Sequence, residues 1–154
     1  PAFIEARKKN WEYLRQGLAN LEHLFEFSLP THAKSWSSGS GFTWDASGCQ
    51  TDCSWFGFML LVKPDASFSR STFASYLDGN RIGNRMLFGG NLLRQPAFVQ
   101  LKKERPKSIR VLDEMPGADR IMSEAIFVGT YPGLAPSQLD YIVEKIHEFC
   151  ELNK

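Results

Sequence analysis

Several things that would place a protein quickly are scarce in this sequence. Cysteine occurs only three times in 154 residues, an odd count far below the density of a disulfide-stapled domain, so Cys49, Cys53 and Cys150 are expected to be reduced. Cys49 and Cys53 stand four apart in a Gly/Ser-rich stretch, which is not a zinc-ribbon spacing, and no metal site is expected. Neither sign of charge dominates. A formal net charge of +1, with both signs interspersed, leaves no basic footprint for nucleic acid and no polybasic or acidic tail. No apolar run approaches the roughly 20 residues that span a bilayer, and the N-terminus lacks the pattern of a signal peptide. The expectation is a soluble, cytoplasmic protein that binds neither nucleic acid nor membrane.

Catalytic signatures are missing as well. There is no Gly-x-Ser-x-Gly elbow, HExxH pair, Walker loop or GxGxxG turn. The three histidines, His23, His32 and His147, sit in no pattern that specifies catalysis, and structural or solvated roles are expected for them. A self-contained active site is not visible.

What is present is enough apolar residue, 43% of the chain, for one domain with a real core. Ile4, Trp11, Leu14, Leu18, Leu21 and Phe25 recur at helical spacing, which predicts a long amphipathic helix from residue 2 to about residue 25 with Arg7, Lys8, Glu12, Arg15 and Glu22 on its wet face. The chain opens on Pro1, directly on this pattern. It is therefore expected to be a piece of a longer protein, with residues 1–26 a connector helix packing on a domain formed by 27–154.

Residues 31–53, rich in Ser and Gly but carrying Trp36 and Trp44, have the composition of a long loop. The run WFGFMLLV at 55–62 predicts a buried strand closed by Lys63, Pro64 and Asp65. Ser69 can cap a short helix that stops at Gly79, and 81–87 reads as extended. The charged run KKERPK at 102–107 reads as a solvated turn and 109–112 as a short extended piece. A brief helix over 118–124, a second buried strand over 125–131 and a closing helix from Pro136, with Leu139, Ile142, Val143, Ile146, Phe149 and Cys150 inward, complete the pattern. The sum predicts an α+β fold, a two-layer sandwich whose small sheet is covered by helices on one face.

The stretch with most to say is RIGNRMLFGGNLLRQP, residues 81–96. Gly89 and Gly90 permit conformations or close approach that a Cβ resists, so the chain can turn and present Arg85, Asn91, Arg94 and Gln95 together. A planar guanidinium grips phosphate or carboxylate in two places at once. Such a segment is either an anion- and hydroxyl-binding loop or a glycine turn with solvated arginines, and Phe88 either stacks on a ring or fills the core. Arg120 lies early in its helix, where a cation opposes the dipole, and is either solvated or retained for another reason.

The strings SWFGF (54–58), IGNRMLFGGNLLRQPAF (82–98), ADRIM (118–122), GTYPGL (129–134) and LDYIVEKI (139–146) together resemble the C-terminal domain of the CDP-4-keto-6-deoxy-D-glucose 3-dehydrases. These are lipopolysaccharide biosynthesis enzymes of the DegT/DnrJ/EryC1/StrS sugar aminotransferase superfamily. The resemblance runs the length of the chain apart from the Ser/Gly stretch. It implies the small domain of a fold-type I enzyme whose larger N-terminal domain carries pyridoxamine 5'-phosphate, with a histidine in place of the usual Schiff-base lysine. It also implies a [2Fe-2S] cluster, an iron-sulfur flavin reductase as electron donor, a CDP-4-keto-6-deoxyhexose substrate and a homodimer. None of the cofactors is expected to be held by this chain alone, and Cys49 and Cys53 do not match the cluster spacing. Carried over, Arg85, Phe88, Gly89, Gly90, Asn91, Arg94, Gln95 and Arg120 would bind the nucleotide sugar. Ala118 and Ala135 fall at helix starts where relatives place threonine, each losing a cap of about 1 kcal/mol. Two rivals remain: a sugar aminotransferase of the same superfamily, and a stand-alone nucleotide-sugar-binding or dimerisation module.

Overall fold

A computed structural model describes residues 1–154. Its elements run α1 (Ala2–Gly17), β1 (Phe25–Phe27), β2 (Ala33–Ser37), β3 (Gly41–Trp44), β4 (Gly57–Val62), α2 (Arg70–Gly79), β5 (Asn84–Met86), α3 (Pro96–Glu104), α4 (Pro116–Glu124), β6 (Ala125–Gly129) and α5 (Pro136–Leu152). Short 3-10 turns occupy Ala19–Leu21, Leu92–Arg94 and Pro106–Ser108. The main sheet has the order β1-β4-β6-β5, antiparallel throughout, and the α+β class holds.

Alternation along the strands divides the sheet's two faces. Phe25 and Phe27 of β1, Phe58, Leu60 and Val62 of β4, and Ile126 and Val128 of β6 point into one core. Phe73, Ala74 and Leu77 of α2 and Leu139, Ile142, Ile146, Phe149 and Cys150 of α5 close over them, joined by Trp11 and Leu14 of α1. Met59, Leu61, Ala125 and Phe127 face the other way, and α4 lies against β4 and β6. Leu61 and Ala125, paired across the strands, are buried on that second face. This is why β4 reads as a continuous apolar run rather than an alternating one. No helix is long and apolar enough to cross a membrane.

The first helix is shorter than its periodicity predicts. It stops at Gly17, a 3-10 turn follows, and Phe25 begins the edge strand β1, antiparallel to β4. Leu18, Leu21 and Phe25 are buried as expected, because apolar spacing is blind to a break that keeps the same residues facing the core. Gly17 sits where α1 crosses α5: a Cβ there would lie 2.8 Å from Val143 Cγ2. Arg15, expected on the wet face, is buried. Its guanidinium lies 4.7 Å above the Phe27 ring and 5.6 Å from Trp36, a cation–π arrangement, and pairs with Glu22.

Residues 31–53 are not a structureless loop. β2 and β3 form a hairpin in which Trp36 pairs with Phe42, and Gly39 and Gly41 supply the positive φ its turn requires. Trp11 holds this hairpin to the domain: its indole stacks on Trp55 at 4.5 Å and meets Trp36 edge-on at 5.7 Å and Phe42 at 5.5 Å.

Other boundaries also moved. α2 is capped as predicted, Ser69 Oγ accepting from the Thr72 N–H at 3.1 Å, but the left-handed residue beyond it is Arg81 rather than Gly79. Lys102 and Lys103, expected in a solvated turn, form the last turn of α3, where cations favour the dipole. α3 buries no residue fully, so no strong apolar stripe announces it. Residues 109–112 form no strand. Ala135 stands at the N-cap position of α5 as expected, without a side-chain cap, and Gln138 Oε1 accepts its N–H at 2.8 Å. Ala118 is not a cap, since α4 begins after Met115.

Candidate functional site

The turn from α2 into β5 places the first functional side chain. Ile82 is buried behind it, while Asn84 Nδ2 donates to Asp78 Oδ1 at 2.8 Å and reaches the Ile82 and Ala74 carbonyls. β5 is thereby tied to α2, and Arg85 stands opposite Phe127 on β6, on the second face of the sheet. There it borders a cavity of about 380 Å³ with Phe56, Asp78 and Phe127 in its wall. The Phe127 ring lies across Gly57, where a Cβ would come within 2.5 Å of it, and packs on Phe56 with centroids 5.6 Å apart. Arg85 makes no hydrogen bond or ion pair. Its guanidinium stands beside an aromatic wall in a cavity that also carries the Asp78 carboxylate.

The glycine loop follows. Leu87 carbonyl accepts the Gly90 N–H at 3.2 Å, closing a turn in which Phe88 has φ 47° and Gly90 φ 58°. Gly90 tolerates the left-handed conformation, and no larger residue would fit, since a Cβ would lie 2.5 Å from Met122 Cγ on α4. Phe88 has no such licence. An aromatic residue in left-handed backbone costs on the order of 1–3 kcal/mol and is found where surrounding structure imposes it. Phe88 is 83% exposed, so it does not fill the core.

The other residues of the motif have partners within the chain. Asn91, 3% exposed, donates from Nδ2 to Asp119 Oδ1 at 2.7 Å, and its Oδ1 accepts the Leu93 N–H at 3.0 Å. Arg94 grips both oxygens of Asp119, with Nε to Oδ1 at 3.0 Å and Nη2 to Oδ2 at 2.7 Å. The Arg94 guanidinium, then the Asn91 amide, hold the Asp119 carboxyl down at about 2. Gln95 Nε2 donates to the Gly89 carbonyl at 2.8 Å. Arg120 bridges Glu124 at 2.8 Å and Glu26 of β1 at 2.7 Å, fastening α4 to the far edge of the sheet. Sequence reasoning thus singled out this loop, but it did not single out Asp119, Phe56 or Phe127. Only the Asp-Arg adjacency in ADRIM hinted at the first, and no local signal marks the phenylalanines.

Nothing else in the chain assembles a reactive centre. His23 faces the Asn20 carbonyl and His147 the Gly17 carbonyl. His32 Nδ1 meets Asp45 at 3.1 Å and Ser47 at 3.3 Å. Both sit at one ring nitrogen, which makes a clasp at the hairpin base rather than a relay through two nitrogens. A further cavity of about 480 Å³ opens between β6 and α5, with Leu134, Tyr141 and Ile142 in a mainly apolar wall. No group of three or more His, Cys, Asp or Glu side chains is gathered as a metal site. Cys150 is buried in the core, with its thiol pushed up to about 11 by that burial. The chain's cysteines therefore do not fit an iron–sulfur cluster. A pyridoxal-type cofactor likewise finds no positioned lysine or histidine here, only an anion partner and aromatic wall at one edge.

Comparison with known proteins gives the family and the fold. The family model for the DegT/DnrJ/EryC1/StrS aminotransferase family matches residues 1–147. The chain is 37% identical over 151 residues to lipopolysaccharide biosynthesis protein RfbH of Salmonella typhimurium, covering 98% of this chain and 29% of that one. It is 36% identical over 148 residues to dTDP-4-dehydro-2,6-dideoxy-D-glucose 3-dehydratase of Saccharopolyspora spinosa, covering 96% and 27%. The chain thus spans less than a third of the length of these curated relatives. Among solved structures, the E. coli GDP-4-keto-6-deoxy-D-mannose-3-dehydratase with bound hydrated PLP superposes with a TM-score of 0.69 at 23% identity, covering 94% of this chain and 31% of that one. A GDP-4-keto-6-deoxymannose-3-dehydratase with bound GDP-perosamine gives 0.70 at 23% identity, covering 95% and 31%. These structural likenesses establish the fold.

Proposed function

This chain belongs to the DegT/DnrJ/EryC1/StrS aminotransferase family, and on that footing we propose that it is the C-terminal, substrate-clamping domain of a nucleotide-sugar 3-dehydrase of deoxysugar and lipopolysaccharide biosynthesis. Residues 1–26 are its connector and 27–154 the small domain. The cofactor, pyridoxamine 5'-phosphate or its aldehyde form, resides on the preceding part of the enzyme, as does any [2Fe-2S] cluster, and a separate iron-sulfur flavin reductase delivers the electrons. The substrate is a CDP-4-keto-6-deoxyhexose, and the full-length enzyme works in the cytoplasm as a homodimer.

The observation that carries the reading is Phe88: an exposed ring on left-handed backbone, three residues beyond an arginine with no partner. Backbone strain without packing gain points to a ligand contact. Arg85 supplies the charge that a diphosphate needs, bidentately, and Phe88 an apolar face for the sugar or base. Gly89, Gly90, Asn91, Arg94, Gln95 and Arg120 serve the site by shaping its frame.

In the full-length enzyme, Arg85→Ala is expected to raise KM for the CDP-sugar at least tenfold, about 1.4 kcal/mol or more of lost binding, with a smaller rise for Phe88→Ala and little change in kcat for either. Saturation curves unchanged in both variants would remove the site assignment. Transfer of an amino group from glutamate to the nucleotide sugar, in place of loss of the 3-hydroxyl, would replace the dehydrase reading with the aminotransferase one.

A further inference from the structure

α4 does more than cover half of the sheet's second face. Its first turn meets the glycine loop through a single carboxylate, Asp119, which takes three hydrogen bonds from Asn91 and Arg94. One turn further along, Met122 fills the space that Gly90 leaves open. The loop therefore has two unequal halves. Residues 89–95 are fastened to α4 and to each other, whereas the Arg85 guanidinium has no hydrogen bond and Phe88 is exposed. The strained conformation of Phe88 lies at the junction, so what prevents it from relaxing is the fastening on its C-terminal side.

Asp119 is suited to that task in two ways. It forms a fork-to-fork pair with Arg94, which fixes orientation as well as distance. With its carboxyl held at about 2, it stays ionised at any physiological pH. Arg120, its neighbour, anchors the same helix to β1 through Glu26. The loop is thus referenced to the whole width of the sheet rather than to β5 alone.

We propose that Asp119 is a positioning residue for substrate: it touches no ligand, but by holding Asn91 and Arg94 it keeps Phe88 and Arg85 in the geometry that receives the nucleotide sugar. This rests on the reading of Arg85 and Phe88 as ligand contacts, and the experiment separates the two.

The test uses the full-length enzyme, with Asp119→Ala, Asp119→Asn, Asp119→Glu and Arg85→Ala compared by steady-state kinetics and by amide hydrogen exchange. Asp119→Ala is expected to accelerate exchange across residues 89–95 while leaving β4 and β6 protected. It is also expected to raise KM at least tenfold with kcat within about threefold. Asp119→Glu, which keeps the charge and the fork, is expected to recover most of the lost affinity. Should Asp119→Ala fail to fold, Asp119→Asn carries the same expectations, since it retains shape but loses the charge and turns one acceptor oxygen into a donor. Unchanged exchange in the loop overturns the latch itself, whatever the substrate. Faster exchange with unchanged KM, beside a raised KM for Arg85→Ala, overturns the positioning role and leaves the site standing. An unchanged KM for Arg85→Ala overturns the site reading and with it the role given to Asp119.

Discussion

Asp119 also makes the loop's fastening visible as a pH dependence. Its carboxyl is held at about 2, against an ordinary value of 3.8, by Arg94 and then Asn91. Because the folded value lies below the unfolded one, the unfolded chain takes up the proton first as the pH falls. The contribution of the latch to stability is therefore complete above about pH 4 and is lost as the pH drops towards about 2. The difference in urea midpoint between the wild-type chain and Asp119→Asn should shrink over that interval. A gap of the same size at neutral pH and near pH 2 would mean that the ion pair adds nothing to folding. Residue chemistry of this kind was only partly legible. The motif string grouped Asn91, Arg94 and Arg120 with Arg85 and Phe88, because a string identifies side chains and not their partners. Arg85 and Phe88 emerged as the free pair only once the others were seen to be engaged.

Among the elements, α1 shows most clearly how a tertiary contact sets a boundary. Gly17 would be a poor helix residue in isolation, by about 1 kcal/mol against alanine. In place, it lets α1 approach α5 so closely that a Cβ would stand 2.8 Å and 3.1 Å from the two γ-methyls of Val143, and its carbonyl accepts from His147. Gly17→Ala should consequently destabilise the chain despite its better propensity, by about 1–3 kcal/mol, the usual cost of overpacking. Chemical denaturation checks this, and a Gly17→Ala chain as stable as the wild type would show that Val143 can turn aside. The hairpin was hidden for another reason. Ser35, Ser37, Gly41 and Thr43 share one face, and aromatic residues stand at only a few alternate positions, Trp36, Phe42 and Trp44, so composition read as loop outweighed period-two patterning. The pairing of Trp36 with Phe42 becomes meaningful only when Trp11, far away in sequence, is placed beneath them.

At the scale of the molecule, Trp11 joins three parts: α1, the β2–β3 hairpin and the strand run through Trp55 and Phe58. Trp11→Ala should cost about 3–5 kcal/mol, as for other buried aromatic truncations, out of a total of roughly 5–15 for a domain. Hydrogen exchange should show the hairpin amides losing protection before those of β4 and β6. Equal loss throughout would mean that the hairpin is not a separate unit. The sequence by itself determined the class of the fold, the central strand, α2, the start of α5 and most of the core, including Cys150 as a small buried hydrophobe. Those features rest on burial periodicity and capping, which are written in residues close together along the chain. It also located the glycine loop, since a Gly pair between arginines is a local signal. Only the tertiary structure decided where α1 stops, that residues 33–44 form a hairpin docked on Trp11, that Arg15 lies against an aromatic face, and which loop residues have partners. Each of those depends on a partner about ten or more residues away, Val143 for Gly17, Trp11 for the hairpin and Phe27 for Arg15, and a carboxylate such as Asp119 chooses its arginine by distance in space.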